Sequence, residues 1–205
     1  MTQRSAASSG SGSRLGNVTG ALLLGGTSAR MGCDKARLRW QGRIWSTRAA
    51  EMLDSLFVET LLVGGDPEAD APGRRVVDPE GPACALRGLV GALEAATNPR
   101  VLVLATDLPL VSPDLLLALT AWPEADAVVP VDAQTEHPLC AIYRRDPCLE
   151  IARAALASKR LVLRAWLDEI DTARVSLARL GFAGDDAAQL TNVNTPEDLA
   201  RLGAC

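Results

Sequence analysis

The 205-residue sequence predicts a three-layer α/β/α fold built on one mostly parallel sheet. Two observations predict it. Short apolar runs alternate with stretches of helical period along most of the chain. The runs also end in residues that suit the carboxyl edge of such a sheet: Gly25-Gly26, Gly64-Gly65, Asp78 and Asp107. Ligands of open α/β sheets bind beyond the carboxyl ends of the strands. Gly25, Asp78 and Asp107 are therefore expected on one rim.

The elements follow in order. Val18–Leu24 reads as the first strand, and the apolar spacing of Ile44, Trp45, Ala49, Met52, Leu53 and Leu56 predicts a helix. "FVETLLV", Phe57–Val63, is a strand closed by two glycines, and "RRVVD", Arg74–Asp78, is a short one. Cys84–Ala96 is a helix with small residues on one face, followed by the strand "RVLVLATD", Arg100–Asp107. Pro113–Ala121 is a helix with Ser112 as N-cap and Pro113 at its first position. Asp126–Val131 is a strand, and His137–Arg144 is another, expected at an edge because of Pro138. Pro147–Leu156 and Leu161–Ile170 read as helices, and "ARVSLARL" as a weak strand. Thr195-Pro196-Glu197-Asp198 opens a last helix with a cap, a first-turn proline and first-turn acids.

Residues 1–17 are rich in Ser and Gly and lack an apolar stretch, so a floppy leader precedes a single domain over 18–205. A net charge of −4 speaks against general nucleic-acid binding, and 3% aromatics against a single-strand stacking platform. No apolar run reaches the roughly 18 residues of a membrane span. The five cysteines form no CxxC pair, and the chain has one histidine, so no zinc pattern is visible. Reduced thiols in a cytoplasmic protein fit that count. Cys33 reads as a small loop filler, and His137, Tyr143 and the four tryptophans as structural residues.

The densest chemistry is "LLLGGTSARMGCDK", Leu22–Lys35. Gly25 and Gly26 let a backbone turn and approach a ligand with no Cβ in the way. Amides in such a turn make an anion nest, Arg30 can fork onto phosphate oxygens, and Lys35 adds a point charge. The spacing is neither a Walker A loop nor GxGxxG. A plain strand-to-helix turn with solvated cations has the same composition. Asp107, at the end of an apolar strand, suits Mg²⁺ beside substrate phosphates, or it caps the next turn. Asp78 precedes a Gly-Pro turn and a small-residue helix, which serve ligand approach or close packing equally. In "NVNTPEDL", Asn192 and Asn194 share one side of an extended backbone and offer donors and acceptors to a polar ligand.

Together these stretches resemble the nucleotidyltransferase family that includes the molybdenum cofactor guanylyltransferases. The family signature LAGGxSxRMGxDK stands here as "LLGGTSARMGCDK", its metal strand as "VLATDLPLVSPDLL" and its GPLAG turn as "GPACA". "HPLCAIYR" and "LTNVNTPEDLA" are similar to its acceptor half, and the likeness runs collinearly over about residues 18 to 202. It implies a Rossmann-like sheet of the nucleotide-diphospho-sugar transferase type. It also implies that Leu23, Leu24 and Gly25 contact the guanine and ribose of GTP, that Gly26, Arg30 and Lys35 hold the triphosphate, and that Asp78 reads base or sugar. Asp107 would bind Mg²⁺, and Asn192 and Asn194 would face the pterin acceptor. Three residues depart from the pattern. Leu24 replaces an Ala and brings bulk beside the nucleotide, Gly64 replaces a nucleotide-contacting Asn, and Ala85 replaces the second glycine of GPLAG.

The activity so implied is transfer of GMP from GTP to the phosphate of molybdenum-loaded molybdopterin, with transient contact to molybdoenzymes or their chaperones. Three other activities stay open: the cytidylyl counterpart, a sugar-1-phosphate nucleotidyltransferase, and a non-catalytic molybdopterin carrier. The carrier would need Asn192 and Asn194 but not Arg30, Lys35 and Asp107 together.

Overall fold

The computed structural model describes residues 13–25, 39–40, 42–123, 125–132, 135–182, 184–193 and 198. Ten strands and five α-helices occur among them. They are β1 (Leu15–Leu23), β2 (Arg39–Trp40), β3 (Arg43–Ile44), α1 (Trp45–Leu56), β4 (Phe57–Val63), β5 (Arg74–Val76), α2 (Ala85–Ala95) and β6 (Arg100–Ala105). After these come α3 (Pro113–Ala121), β7 (Ala127–Asp132), β8 (Thr135–Glu136), β9 (Cys140–Arg144), α4 (Arg145–Ala157), α5 (Leu163–Leu167) and β10 (Thr172–Ser176). Two 3₁₀ segments follow, Leu177–Leu180 and Gly184–Leu190.

The main sheet has the order β10-β7-β9-β6-β1-β4-β5, with β8 added to β7 and β2–β3 as a separate hairpin. β1 pairs in parallel with β4 and β6, β4 with β5, and β7 with β10. β9 runs against both its neighbours. The expected three-layer, mostly parallel architecture is therefore present. The chain goes from β1 to β4 and β5 on one side, then returns to lay β6 on the other side of β1. That reversal opens a crevice at the carboxyl ends of β1 and β6.

Both faces of the central strands are buried, which is why they read as unbroken apolar runs. Leu22, Leu102 and Leu104 join α1 and α3 in one core. Ala21, Leu23, Val101 and Val103 join α2, α4 and α5 in the other. Each fully buried aliphatic side chain contributes about 1.5–3 kcal/mol. Gly20 lets α1 and the start of β4 lie close, since a Cβ there would stand 3.3 Å from Leu53 Cβ and 2.7 Å from Phe57 Cδ2.

Most boundaries match the sequence reading, with four differences. β1 starts at Leu15, so residues 15–17 are strand, while residues 1–12 of the expected leader lie outside the described residues. β9 is an interior strand and not an edge one. Pro138 sits before the strand, which begins at Cys140, so its missing N–H interrupts no ladder; its carbonyl accepts from Tyr143 Oη at 2.6 Å. α5 is shorter than expected, because a turn from Glu169 N–H to the Trp166 carbonyl redirects the chain toward β10. Of "ARVSLARL" only Ala173–Ser176 is strand, within β10, and Leu177–Leu180 turns as a 3₁₀ segment. The last expected helix lies outside the described residues apart from Asp198.

The amino ends of the strands are held by one carboxylate. Glu59 Oε2 accepts from Thr19 Oγ1 at 2.5 Å, Thr97 N at 2.9 Å and Thr97 Oγ1 at 2.8 Å, and Oε1 accepts from Arg74 Nη2 at 3.0 Å. Burial alone would raise its carboxyl pKa, but the bonds from Thr19, Thr97 and Arg74 outweigh that and hold it below the usual value. A lowered folded-state pKa stabilises the protein above the unfolded-chain value, and this contribution is lost as pH falls through the folded one. Glu59→Gln should cost roughly 1.5–3 kcal/mol in urea unfolding at pH 7. The wild-type advantage should shrink as pH falls below about 4. An advantage independent of pH in the acid range would show that the ionised form is not what these donors hold.

Candidate functional site

The parallel register sets the height of every strand end. Leu23 of β1 pairs with Val63 of β4 and with Ala105 of β6, and Val63 pairs with Val76 of β5. The residues just beyond therefore emerge on one rim: Leu24-Gly25, Gly64-Gly65, Val77-Asp78 and Thr106-Asp107. They border a cleft of about 380 Å³ lined by Leu23, Leu24, Gly25, Asp78 and Asp107, with Ala85, Arg87 and Gly88 of α2 as one wall. The volume falls within the range of small-molecule sites.

Two glycines are required by what sits beside them. Gly64 has φ +66°, and a Cβ there would stand 2.9 Å from Asp78 Oδ1 and 3.0 Å from Oδ2. Gly65 has φ +56°, and its Cβ would meet Leu24 Cβ at 2.8 Å. The Asp78 carboxylate thus occupies the space over Gly64, where no side chain reaches into the cleft. Leu24 is only 4% exposed and packs in the core beneath α1 and α3. Its side chain joins that core, while the residue also borders the cleft.

Asp78 is fixed by a residue of the opposite wall. Arg87 Nη2 donates to Asp78 Oδ2 at 3.0 Å, and Arg87 Nη1 donates to the Gly81 carbonyl at 3.0 Å. The pair is largely shielded, with side chains 25% and 19% exposed. α2 can lie this close to the sheet because Gly91 faces Pro79 and Val63, where a Cβ would come within 3.1 and 3.3 Å.

Asp107 marks the far side of the cleft. Its carbonyl accepts from Val193 N–H at 2.7 Å, so the chain bearing Asn192 lies against the end of β6. Val193 is buried and Asn192 exposed, as alternation predicts. The preceding segment is anchored too, since the buried Gln189 accepts from Ser112 N–H at 3.0 Å through Oε1. Asp78 and Asp107 both border the cleft. A hard oxygen donor such as the Asp107 carboxylate, beside room for substrate phosphates, suits a cation that keeps its waters and takes only one or two protein carboxylates. Asp107 therefore fits Mg²⁺.

The sequence-selected residues divide clearly. Leu23, Leu24, Gly25, Asp78 and Asp107 meet at the cleft, and Asn192 is tied to it through Val193. Gly26, Arg30, Cys33, Lys35 and Asn194 lie outside the described residues. His137 is buried, with Nε2 2.9 Å from Asp132 Oδ1, close in distance without the alignment of a hydrogen bond. Burial pushes the Cys140 thiol up to about 12, with the nearby Asp107 charge adding to the shift, so it is no nucleophile. Arg87 was not singled out from the sequence. Its signal was being the lone charge within "PACALRGLVGAL".

Residues 20–175 match the family described as MobA-like NTP transferase domain. A probable molybdenum cofactor guanylyltransferase of Chloroflexus aggregans is 35% identical over 201 residues, covering 91% of this chain and 94% of that one. Another from Pelotomaculum thermopropionicum is 32% identical over 191 residues, covering 90% and 91%. Among solved structures, molybdopterin-guanine dinucleotide biosynthesis protein A from Archaeoglobus fulgidus superposes with a TM-score of 0.75 at 22% identity, over 89% of this chain and 95% of that one. At that identity the likeness is one of fold. No described helix is long and apolar enough to cross a membrane.

The tight seat of Asp78 is testable by paired substitutions. Gly42 has φ +76° and no described atom within 4 Å of its Cβ position, so Gly42→Ala should cost only the left-handed backbone strain, about 1–2 kcal/mol. Gly64→Ala should cost that and more, because the carboxylate must also move. Equal costs in urea unfolding would mean that Asp78 is not held in place.

Proposed function

We propose, since the chain belongs to the MobA-like NTP transferase family, that it transfers GMP from GTP to the terminal phosphate of molybdenum-loaded molybdopterin. The observation that carries this is the meeting of Gly25, Asp78 and Asp107 around one cleft at the reversal point of the sheet. The names of the curated relatives support the same substrates.

In this reaction a phosphate oxygen of the pterin attacks the α-phosphorus of GTP in line. A new P–O bond forms, the α–β bridging bond breaks, and its electron pair leaves with pyrophosphate. The attacking group is already an anion, so no strong general base is needed. Catalysis is then positioning and charge neutralisation. Leu23, Leu24 and Gly25 bring bare backbone to the nucleoside, and Asp78 accepts from its base or sugar. Gly26, Arg30 and Lys35 are assigned to the triphosphate on sequence grounds. Asp107 would hold Mg²⁺, which supplies further neutralisation of phosphate charge. Asn192 and Asn194 are assigned to the pterin, and the Val193–Asp107 bond supports this by joining acceptor and nucleotide sides at one point. The protein would work in the cytoplasm and meet molybdoenzymes or their chaperones only in passing.

The test is pyrophosphate release with Mg²⁺ and molybdenum-loaded molybdopterin, comparing GTP, CTP and ATP. Release with GTP is expected. Release with CTP alone would overturn the base assignment, and pterin binding without release from any nucleotide would turn the protein into a carrier. Asp107→Asn should lower turnover by about 10²–10³-fold with an unchanged unfolding midpoint. Near-normal turnover would refute the role given to Asp107.

A further inference from the structure

We infer that Arg87 is a positioning residue for base selection: it holds the Asp78 carboxylate in one orientation, as the acceptor for the N1–H and N2–H₂ edge of guanine, a role that rests on the GTP reading above.

Among the described residues, Arg87 is the donor to Asp78. A carboxylate oxygen has two lone pairs, so the single bond from Arg87 leaves acceptor capacity on both oxygens. The carboxylate borders the cleft between two glycines. It stands over the Cα of Gly64, and Oδ2 lies 3.5 Å from the Cβ position of Gly25. No side chain at either glycine comes between it and a ligand. Guanine presents two adjacent donors on its Watson–Crick edge, whereas cytosine and adenine present one amino group beside ring acceptors. A carboxylate acceptor fixed in place therefore favours guanine, and a mobile one does not.

The arrangement is poorly suited to stability alone. Arg87 Nε is buried without a partner among the described residues, an unfavourable state for a half-buried cation. The guanidinium fork instead spans two points that frame the cleft, the Gly81 carbonyl in the turn and Asp78 beyond β5. A lysine could supply the charge but not both fixed bonds.

The experiment measures Mg·GTP, Mg·ITP, Mg·CTP and Mg·ATP binding by calorimetry in the full-length protein without acceptor. ITP lacks only the N2 amino group. The variants are Arg87→Met, Arg87→Lys, Asp78→Asn and the double Arg87→Met/Asp78→Asn, each checked by its unfolding midpoint. Wild type should bind GTP about tenfold or more tighter than ITP, the worth of a hydrogen bond to a charged group. Arg87→Met should weaken GTP about tenfold, weaken ITP, which keeps N1–H, by less, and bring their ratio toward one. Arg87→Lys should fall between and serves if the Met variant does not fold. In the Asp78→Asn background, Arg87→Met should add nothing. Equal weakening of both nucleotides, or additivity with Asp78→Asn, would reduce Arg87 to a staple of the turn. A GTP preference that survives Arg87→Met would overturn its role and leave the guanylyl assignment standing. A wild type that prefers CTP or ATP would overturn both.

Discussion

The register of β1 against β4 and β6 is the constraint from which the cleft follows. Leu23 stands level with Val63 and Ala105. A slip of one residue would turn every side chain of a doubly buried strand into the wrong core. The two cores therefore lock the register: Leu22 and Leu24 belong to one, Ala21 and Leu23 to the other. Once it is locked, the first polar residues after each strand can only appear together. The chemistry of the rim is a consequence of apolar packing below it.

The two ends of the sheet are treated differently. At the amino ends, arginines close the helices. Arg74 and Arg145 donate to the Ala95 and Ala96 carbonyls at the end of α2, and Arg100 donates to the Thr120 carbonyl at the end of α3. Cations there complement the negative ends of the helices and satisfy orphan carbonyls. With the Glu59 network, this end carries dense, mutually satisfied polar contacts. At the carboxyl ends the described residues present bare backbone at Gly25, Gly64 and Gly65. α2 begins there with Cys84 as an N-cap that makes no side-chain bond. Stability is concentrated at one rim, and access to backbone amides and carboxylates at the other.

Within the access rim, position is still controlled, by indirect means. Asp78 is seated by the absence of side chains at Gly64 and Gly25 and by the fork of Arg87. Asp107 is fixed through its main chain, which bonds a residue 86 positions later in sequence, Val193. Neither device alters the local strand. Both bring distant chain to a residue that a strand has already delivered.

Local signals were legible to the residue. The strand Phe57–Val63 lies between a helix end and two glycines with positive φ, and Pro113–Ala121 starts at a Ser cap that accepts from Leu115 N–H. Capping, glycine conformation and apolar periodicity act within a few residues, so the sequence alone determined these elements, the layered class and the rim on which Gly25, Asp78 and Asp107 meet. Tertiary structure decided what depends on neighbours. Whether Cys140–Arg144 is an edge strand depends on β6 and β7, the direction of Leu24's bulk on the core under it, and the meaning of Arg87 on a carboxylate nine residues away across a turn. Those outcomes are set by distances between separate segments, and no pattern within one segment encodes them.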